Sequence, residues 1–156
     1  KALSVKMLSY YKVRYEGRIE LKINAPEQLL ELRVLKLILQ PAVENAIKHG
    51  FKMKMNQGMI WVTVLLKAKD LVFTIMDNGI GMTNEELRLL QHNLEVEEIN
   101  QNSNGGVGLH NVKERIRRKY GTDYGIDVQS SLGKGTIVII RIPYLKEDNN
   151  AESNSD

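Results

Sequence analysis

Leu71-Val72-Phe73-Thr74-Ile75-Met76-Asp77-Asn78-Gly79-Ile80-Gly81 is the stretch on which the fold turns. Leu71, Phe73 and Ile75 alternate with Val72, Thr74 and Met76, a period of two that reads as a β-strand. Both faces of the run are largely apolar, which puts the strand at the centre of its sheet. It stops at Asp77-Asn78-Gly79, so its end delivers a carboxylate into whatever opens there. Gly79 and Gly81 let backbone approach a ligand closely or take positive φ. The plain alternative is an Asp-Asn-Gly turn, a frequent local motif.

Working upstream, residues 59–67 form a second strand, and Lys69-Asp70 turns it into the first as a hairpin, with a loop at Asn56-Gln57-Gly58 before it. Trp61 sits mid-strand and reads as packing rather than as a stacking platform. Residues 18–24 set Ile19, Leu21 and Ile23 against Arg18, Glu20 and Lys22, a strand with one wet face. Pro26 ends it, and residues 27–31 start a short helix. Between these strands Leu35, Ile38, Leu39, Ala42 and Ala46 repeat at helical spacing, with Gly50 as the stop. On that helix Asn45, Lys48 and His49 stand at i, i+3 and i+4 and so share one stripe. An amide oxygen there can ligate magnesium, and an ammonium can neutralise phosphates. The stripe also reads as a solvated face complementing the helix dipole.

Downstream, Thr83 caps a short helix carrying Glu85, Glu86, Leu87, Leu90 and Leu94. Residues 95–104 are polar and asparagine-rich, and a long loop inside a compact domain is functional or disordered. Residues 83–105 together read as a mobile lid. Gly105-Gly106-Val107-Gly108-Leu109 then opens a helix through Val112, Ile116 and Tyr120, whose first-turn amides form an anion site. Gly133-Lys134-Gly135-Thr136 joins two last strands, residues 124–130 and 136–142, and also reads as an ordinary glycine hairpin. Two better-known phosphate loops are excluded: a Walker loop needs glycine at Val128, and a dinucleotide fingerprint needs one at Asn111. Taken together, the four clusters supply an amide for a metal, a carboxylate for a base and backbone amides for phosphates, the parts of a purine nucleotide site.

At these residues the chain resembles the ATP-binding domain shared by histidine kinases, DNA gyrase, Hsp90 and MutL. Residues 37–50, Leu-Ile-Leu-Gln-Pro-Ala-Val-Glu-Asn-Ala-Ile-Lys-His-Gly, look like the asparagine box of LytS/YesM-type bacterial sensor kinases. Gly106-x-Gly108-Leu109-x-Asn111-Val112-x-x-Arg115 with Tyr120-Gly121 looks like the same subfamily. The resemblance covers about residues 10–145. It implies a Bergerat-type α+β fold: a two-layer sandwich, a mixed β-sheet with helices on one face, and an ATP lid. It implies that Asn45 holds Mg2+ and that Asp77 reads adenine. Lys48, His49 and the turn of Gly106, Val107, Gly108 and Leu109 would serve the phosphates, Gly79, Gly81 and Thr136 would line the adenine pocket, and Gly50 and Asn111 would be further nucleotide-binding residues. Arg115 reaches a phosphate or merely decorates its helix. Glu44 lies about 100° round the axis from Asn45 and need not share the site.

One departure is informative. ATP-hydrolysing members of that superfamily carry a glutamate general base one turn before the asparagine, and here the position is Pro41. A neutral imidazole is nucleophilic without such a base, so phosphorylation of a histidine remains open. The implied activity is transfer of the γ-phosphoryl of Mg-ATP to a histidine on an upstream dimerisation domain; an ATP-driven clamp or a non-catalytic nucleotide sensor is the alternative. His49, His92 and His110 all fall inside the boxes or the lid, so none reads as the acceptor. No pair has zinc-ligand spacing beside a supporting carboxylate.

At 156 residues, 42% of them apolar, the chain suits one domain with one core. Its expected division is a helix over 1–16 arriving from the dimerisation region, the ATP-binding domain over 17–145 and a disordered acidic tail over 146–156. The start at Lys1 reads as an excised fragment. No apolar run approaches the about 20 residues of a membrane span. The absence of cysteine fits a reducing cytosol. Net charge +3 without a concentrated stripe makes no nucleic-acid footprint. The expected partners are ATP or ADP, the upstream dimerisation domain and a cognate response regulator. The resemblance implies a cytoplasmic domain of a homodimeric parent anchored in the bacterial inner membrane.

Overall fold

A computed structural model describes residues 19–26, 34–51, 58–96 and 106–144. The helix expected over 1–16, the short helix from 27, the loop at 56–57 and the tail over 146–156 lie outside the described residues. Within them the order is β1 (Ile19–Asn24), α1 (Val34–Asn45) running into a π-helical turn (Ala46–Gly50), β2 (Gly58–Lys67), β3 (Asp70–Asp77), α2 (Asn84–Glu95), α3 (Val107–Tyr120), β4 (Gly125–Ser131) and β5 (Gly135–Pro143).

The five strands form one sheet in the order β1-β2-β3-β5-β4, with β3 at its centre. β1 runs parallel to β2, and every other pair is antiparallel, so the sheet is mixed. The fold is therefore α+β, as expected. Register fixes which face is inside: Val62 stands opposite Ile75, which stands opposite Val138, which stands opposite Val128. Each of these is 4% exposed or less, and a one-residue slip in any pair would turn that strand's apolar set outward.

Centrality does not make β3 buried on both faces. Leu71, Phe73, Ile75 and Asp77 are buried, whereas Val72 and Thr74 are half-buried and Met76 is exposed. Among the described residues the helices cover one face, and the second face of this apolar-looking strand is partly exposed. α1 packs Ile38, Leu39, Ala42 and Val43 onto the inner face, and the π turn adds Ala46 and Ile47. α3 adds Leu109, Val112 and Ile116 to the same core. Each large side chain so buried contributes about 1.5–3 kcal/mol, which carries the helix through Pro41 despite the backbone donor that proline removes.

α2 lies in the first half of the stretch expected to act as a lid. Thr83 and Glu86 form a reciprocal capping box, with the Thr83 hydroxyl accepting from Glu86 N–H at 3.2 Å and Glu86 accepting from Thr83 N–H at 2.8 Å. The Thr83 N–H, and then the Thr83 hydroxyl donating at 3.0 Å, hold the Glu86 carboxyl below its ordinary range. Leu90 and Leu94 are buried, and Gln91 donates to the Val128 carbonyl of β4 at 3.0 Å. At the helix end His110 Nε2 donates to the Val96 carbonyl at 2.8 Å, and Lys113 pairs with Glu95. Residues 84–96 are thus fastened to the domain; residues 97–105 lie outside the described set.

Candidate functional site

The site forms where three segments of backbone meet at the end of β3. The first is the π turn after Asn45, where the backbone changes from α-type to i→i+5 hydrogen bonding. A wider turn brings position i+4 closer to lying over i and leaves i+3 further behind. The π turn therefore gives Asn45, Lys48 and His49 a different angular spacing from that of an α-helix. Asn45 and His49 line the cleft, while Lys48 is exposed and does not. Gly50 ends the helix, though not as a left-handed cap. A Cβ on it would sit 3.1 Å from Asp77 Oδ1, so its role is close approach to that carboxylate.

The second segment is the loop from Asp77 to Met82. Asp77 is buried at 5% exposure, and its Oδ1 accepts the Gly79 N–H at 2.7 Å. Asn78 extends the sheet: its N–H reaches the Met59 carbonyl at 3.2 Å, and its Oδ1 accepts from Met59 N–H at 2.9 Å. Ile80 N–H then bonds the Gly50 carbonyl at 2.9 Å, tying the loop to the π turn. Gly79 permits that contact, because a Cβ on it would lie 2.5 Å from the Gly50 carbonyl oxygen. Gly81 does line the cleft, and its φ of +66° is the left-handed conformation that glycine takes without penalty.

The third segment is the β4–β5 hairpin. Gly133 N–H bonds the Ile80 carbonyl at 2.6 Å, and Met82 N–H donates to the Ser130 hydroxyl at 3.0 Å. Thr136, opposite Ser130 in the register, puts its side chain into the cleft. The lining thus joins Asn45 and His49 from the helix side to Asp77, Gly81 and Thr136 from the sheet side. The apolar walls are Ala42, Ala46, Ile75, Met82 and Val138. Sequence reasoning did not single out those walls as lining, although Ala42 and Ala46 are small residues on the face that carries Asn45. Ser130 gave no signal of its own; only the hairpin register pairs it with Thr136.

The start of α3 stands beside this cleft without lining it. Gly106 caps the helix at φ +88° with no side-chain cap, so the amides of Val107, Gly108 and Leu109 have no intrahelical partner. Gly108 packs toward α1, where a Cβ would come 3.5 Å from Pro41 Cβ, one turn before Asn45. The Leu109 side chain is 1% exposed and belongs to the core, so only its backbone could meet an anion. Asn111 and Arg115 are exposed. Glu44 accepts from Gln40 Nε2 at 3.0 Å and does not line the cleft.

Among the described residues no three His, Cys, Asp or Glu side chains cluster to hold a metal by themselves. One amide oxygen at Asn45 fits a hard cation that brings most of its own ligands, as magnesium does when a triphosphate chelates it.

A concave cleft with one buried carboxylate, an amide-bearing helix and an uncapped helix start beside it defines a nucleotide-binding class of site. The chain belongs to the family of histidine kinase-, DNA gyrase B- and HSP90-like ATPases, matched over residues 30–146. It is 30% identical to the sensor histidine kinase YesM of Bacillus subtilis over 141 residues, 90% of this chain and 22% of that protein. It is 26% identical to the sensor protein LytS of Oceanobacillus iheyensis over 137 residues, 88% of this chain and 23% of that one. The chain thus spans under a quarter of the length of these relatives. Among solved structures, the catalytic domain of the histidine kinase ThkA superposes with a TM-score of 0.64 at 19% identity, covering 90% of this chain and 88% of that one. The histidine kinase domain of a blue-light-activated kinase from Erythrobacter litoralis gives 0.59 at 19% identity, covering 88% and 58%.

Proposed function

We propose that this domain binds Mg-ATP and presents the γ-phosphoryl group to a histidine on a dimerisation domain of the same parent protein. The observation that carries the reading is the convergence of Asn45, Asp77 and Thr136, from α1, β3 and β5, on one cleft. In this reading Asp77 accepts from the exocyclic amine of adenine, and Gly81 and Thr136 complete the base pocket. Asn45 ligates magnesium, and His49 contacts the phosphates. The amides at 107–109, which have no intrahelical partner, then receive the phosphate end, where the helix dipole favours negative charge.

Catalysis would rest on positioning and charge neutralisation, which dominate phosphoryl transfer. Pro41 leaves no carboxylate one turn before Asn45 to activate water, so transfer is favoured over hydrolysis. The parent is a homodimeric sensor kinase anchored in a bacterial inner membrane, with this domain in the cytoplasm and a response regulator as its downstream partner. Among the described residues no helix is long and apolar enough to cross a membrane.

The test is calorimetry with Mg-ATP followed by incubation with labelled ATP. The fragment should bind nucleotide yet label itself poorly, and a separately purified dimerisation fragment should take up the label. Stoichiometric self-labelling, or steady ATP hydrolysis by the fragment alone, would contradict the proposal.

A further inference from the structure

Ser130 lies behind the cleft and does not line it, yet its hydroxyl makes three contacts that converge on Thr136. It accepts from Met82 N–H at 3.0 Å, donates to the Gly135 carbonyl at 2.9 Å and lies 2.9 Å from Thr136 Oγ1. A hydroxyl has one proton, and a carbonyl oxygen can only accept. If the Ser130 proton went to Thr136, two lone-pair-bearing oxygens, Ser130 Oγ and Gly135 O, would face each other at 2.9 Å. The arrangement is satisfied when Ser130 donates to Gly135 and Thr136 donates to Ser130. Thr136 then has no proton left for the cleft and offers only lone pairs there.

Asp77, on the same sheet side of the cleft, is acceptor-only when ionised. We infer that Ser130 is a positioning residue for base specificity: by taking the Thr136 proton it leaves Thr136, like Asp77, an acceptor toward position 6 of a purine, where a 6-amino group is admitted and a 6-oxo group rejected. An exocyclic amine brings two donors to these acceptors. A 6-oxo group brings lone pairs against lone pairs, and a buried site penalises that mismatch strongly. The inference rests on the nucleotide reading given above and deepens it.

The experiment measures Kd for Mg-ATP and Mg-ITP by calorimetry, using the wild type, Ser130→Ala, Ser130→Thr and Thr136→Val, each checked for folding by circular dichroism. The wild type should prefer ATP strongly. Ser130→Ala frees the Thr136 hydroxyl to turn its proton into the cleft, so the ATP-to-ITP preference should fall by about tenfold or more. Ser130→Thr keeps the hydroxyl and should restore the preference. Thr136→Val keeps the shape but removes the hydroxyl, and should lose the same preference even if Ser130→Ala does not fold. Equal weakening of both nucleotides in Ser130→Ala and in Thr136→Val would show a purely structural role and overturn the inference while leaving the nucleotide reading intact. A wild type that binds neither nucleotide would overturn both.

Discussion

A Cβ placed on Gly135 would lie 2.0 Å from the carbonyl oxygen of Asp77, so the β5 backbone presses directly on the end of β3 where the site carboxylate is mounted. The same kind of contact recurs round the cleft. A Cβ on Gly81 would lie 2.0 Å from the Ser131 carbonyl oxygen, and one on Gly79 would lie 2.5 Å from Gly50 Cα. The π turn, the β3 loop and the hairpin therefore meet backbone to backbone, and glycine is required because no side chain fits between them.

Gly135→Ala and Gly133→Ala separate close approach from conformation alone. Both residues have positive φ, +95° and +79°, but a Cβ on Gly133 meets nothing within 4 Å. Gly133→Ala should cost about 1–2 kcal/mol, the penalty of a left-handed non-glycine residue. Gly135→Ala adds a backbone clash and should cost more than about 4 kcal/mol, with loss of nucleotide affinity. Urea denaturation of the two variants checks the ranking, and equal costs would contradict the packing described.

Much of this was legible in the sequence because the period-two pattern and the breaker residues are strong local signals. The central place of β3, the β2–β3 and β4–β5 hairpins, and the start of α3 after Gly106 follow from alternation and glycine placement. Three features were not legible. The π turn after Asn45 is a change of backbone hydrogen bonding that leaves no mark on a helical hydrophobic repeat. The approach of Gly79 to the Gly50 backbone was not legible, because sequence shows that glycine permits close approach but not to what. The anchoring of α2 depends on Gln91, His110 and Lys113 reaching other elements, which spacing along one helix does not reveal.

α2 should be protected from hydrogen exchange with or without nucleotide. Buried Leu90 and Leu94 and the Gln91 bond to β4 tie it to the core, so opening it requires sub-global unfolding. Exchange measured over residues 87–95 should stay slow in the free domain. Rapid exchange there, slowed only by a nucleotide analogue, would show that the whole of 83–105 moves as a lid.

The Glu95–Lys113 pair gives a small acid dependence. Hydrogen bonding from Lys113 holds the Glu95 carboxyl below its ordinary value of 4.5. A depressed folded value means the contribution is present above pH 4.5 and is lost as pH falls through the lower folded value. With the Glu95 side chain 69% exposed, the effect should stay below about 1 kcal/mol. Lys113→Met keeps the apolar stem and should flatten this part of the stability profile between pH 5 and pH 3, read from urea midpoints. An unchanged slope would show that the pair is not coupled to folding.

The most direct test of the account compares Asp77→Asn with Asn45→Ala against adenosine, ADP and ATP, each with magnesium and with chelator. Asp77→Asn turns an acceptor-only carboxylate into an amide that presents a donor to the adenine amine. Losing a charge-assisted bond in a buried site costs about 1.5–3 kcal/mol, roughly tenfold to over a hundredfold in affinity. That loss should be the same for all three ligands and independent of magnesium. Asn45→Ala removes a metal ligand, so its defect should be absent for adenosine, grow from ADP to ATP and vanish with chelator. Normal adenine-nucleotide binding by Asp77→Asn, or an Asn45→Ala defect that is the same with and without magnesium, would contradict the assignment of roles in the cleft.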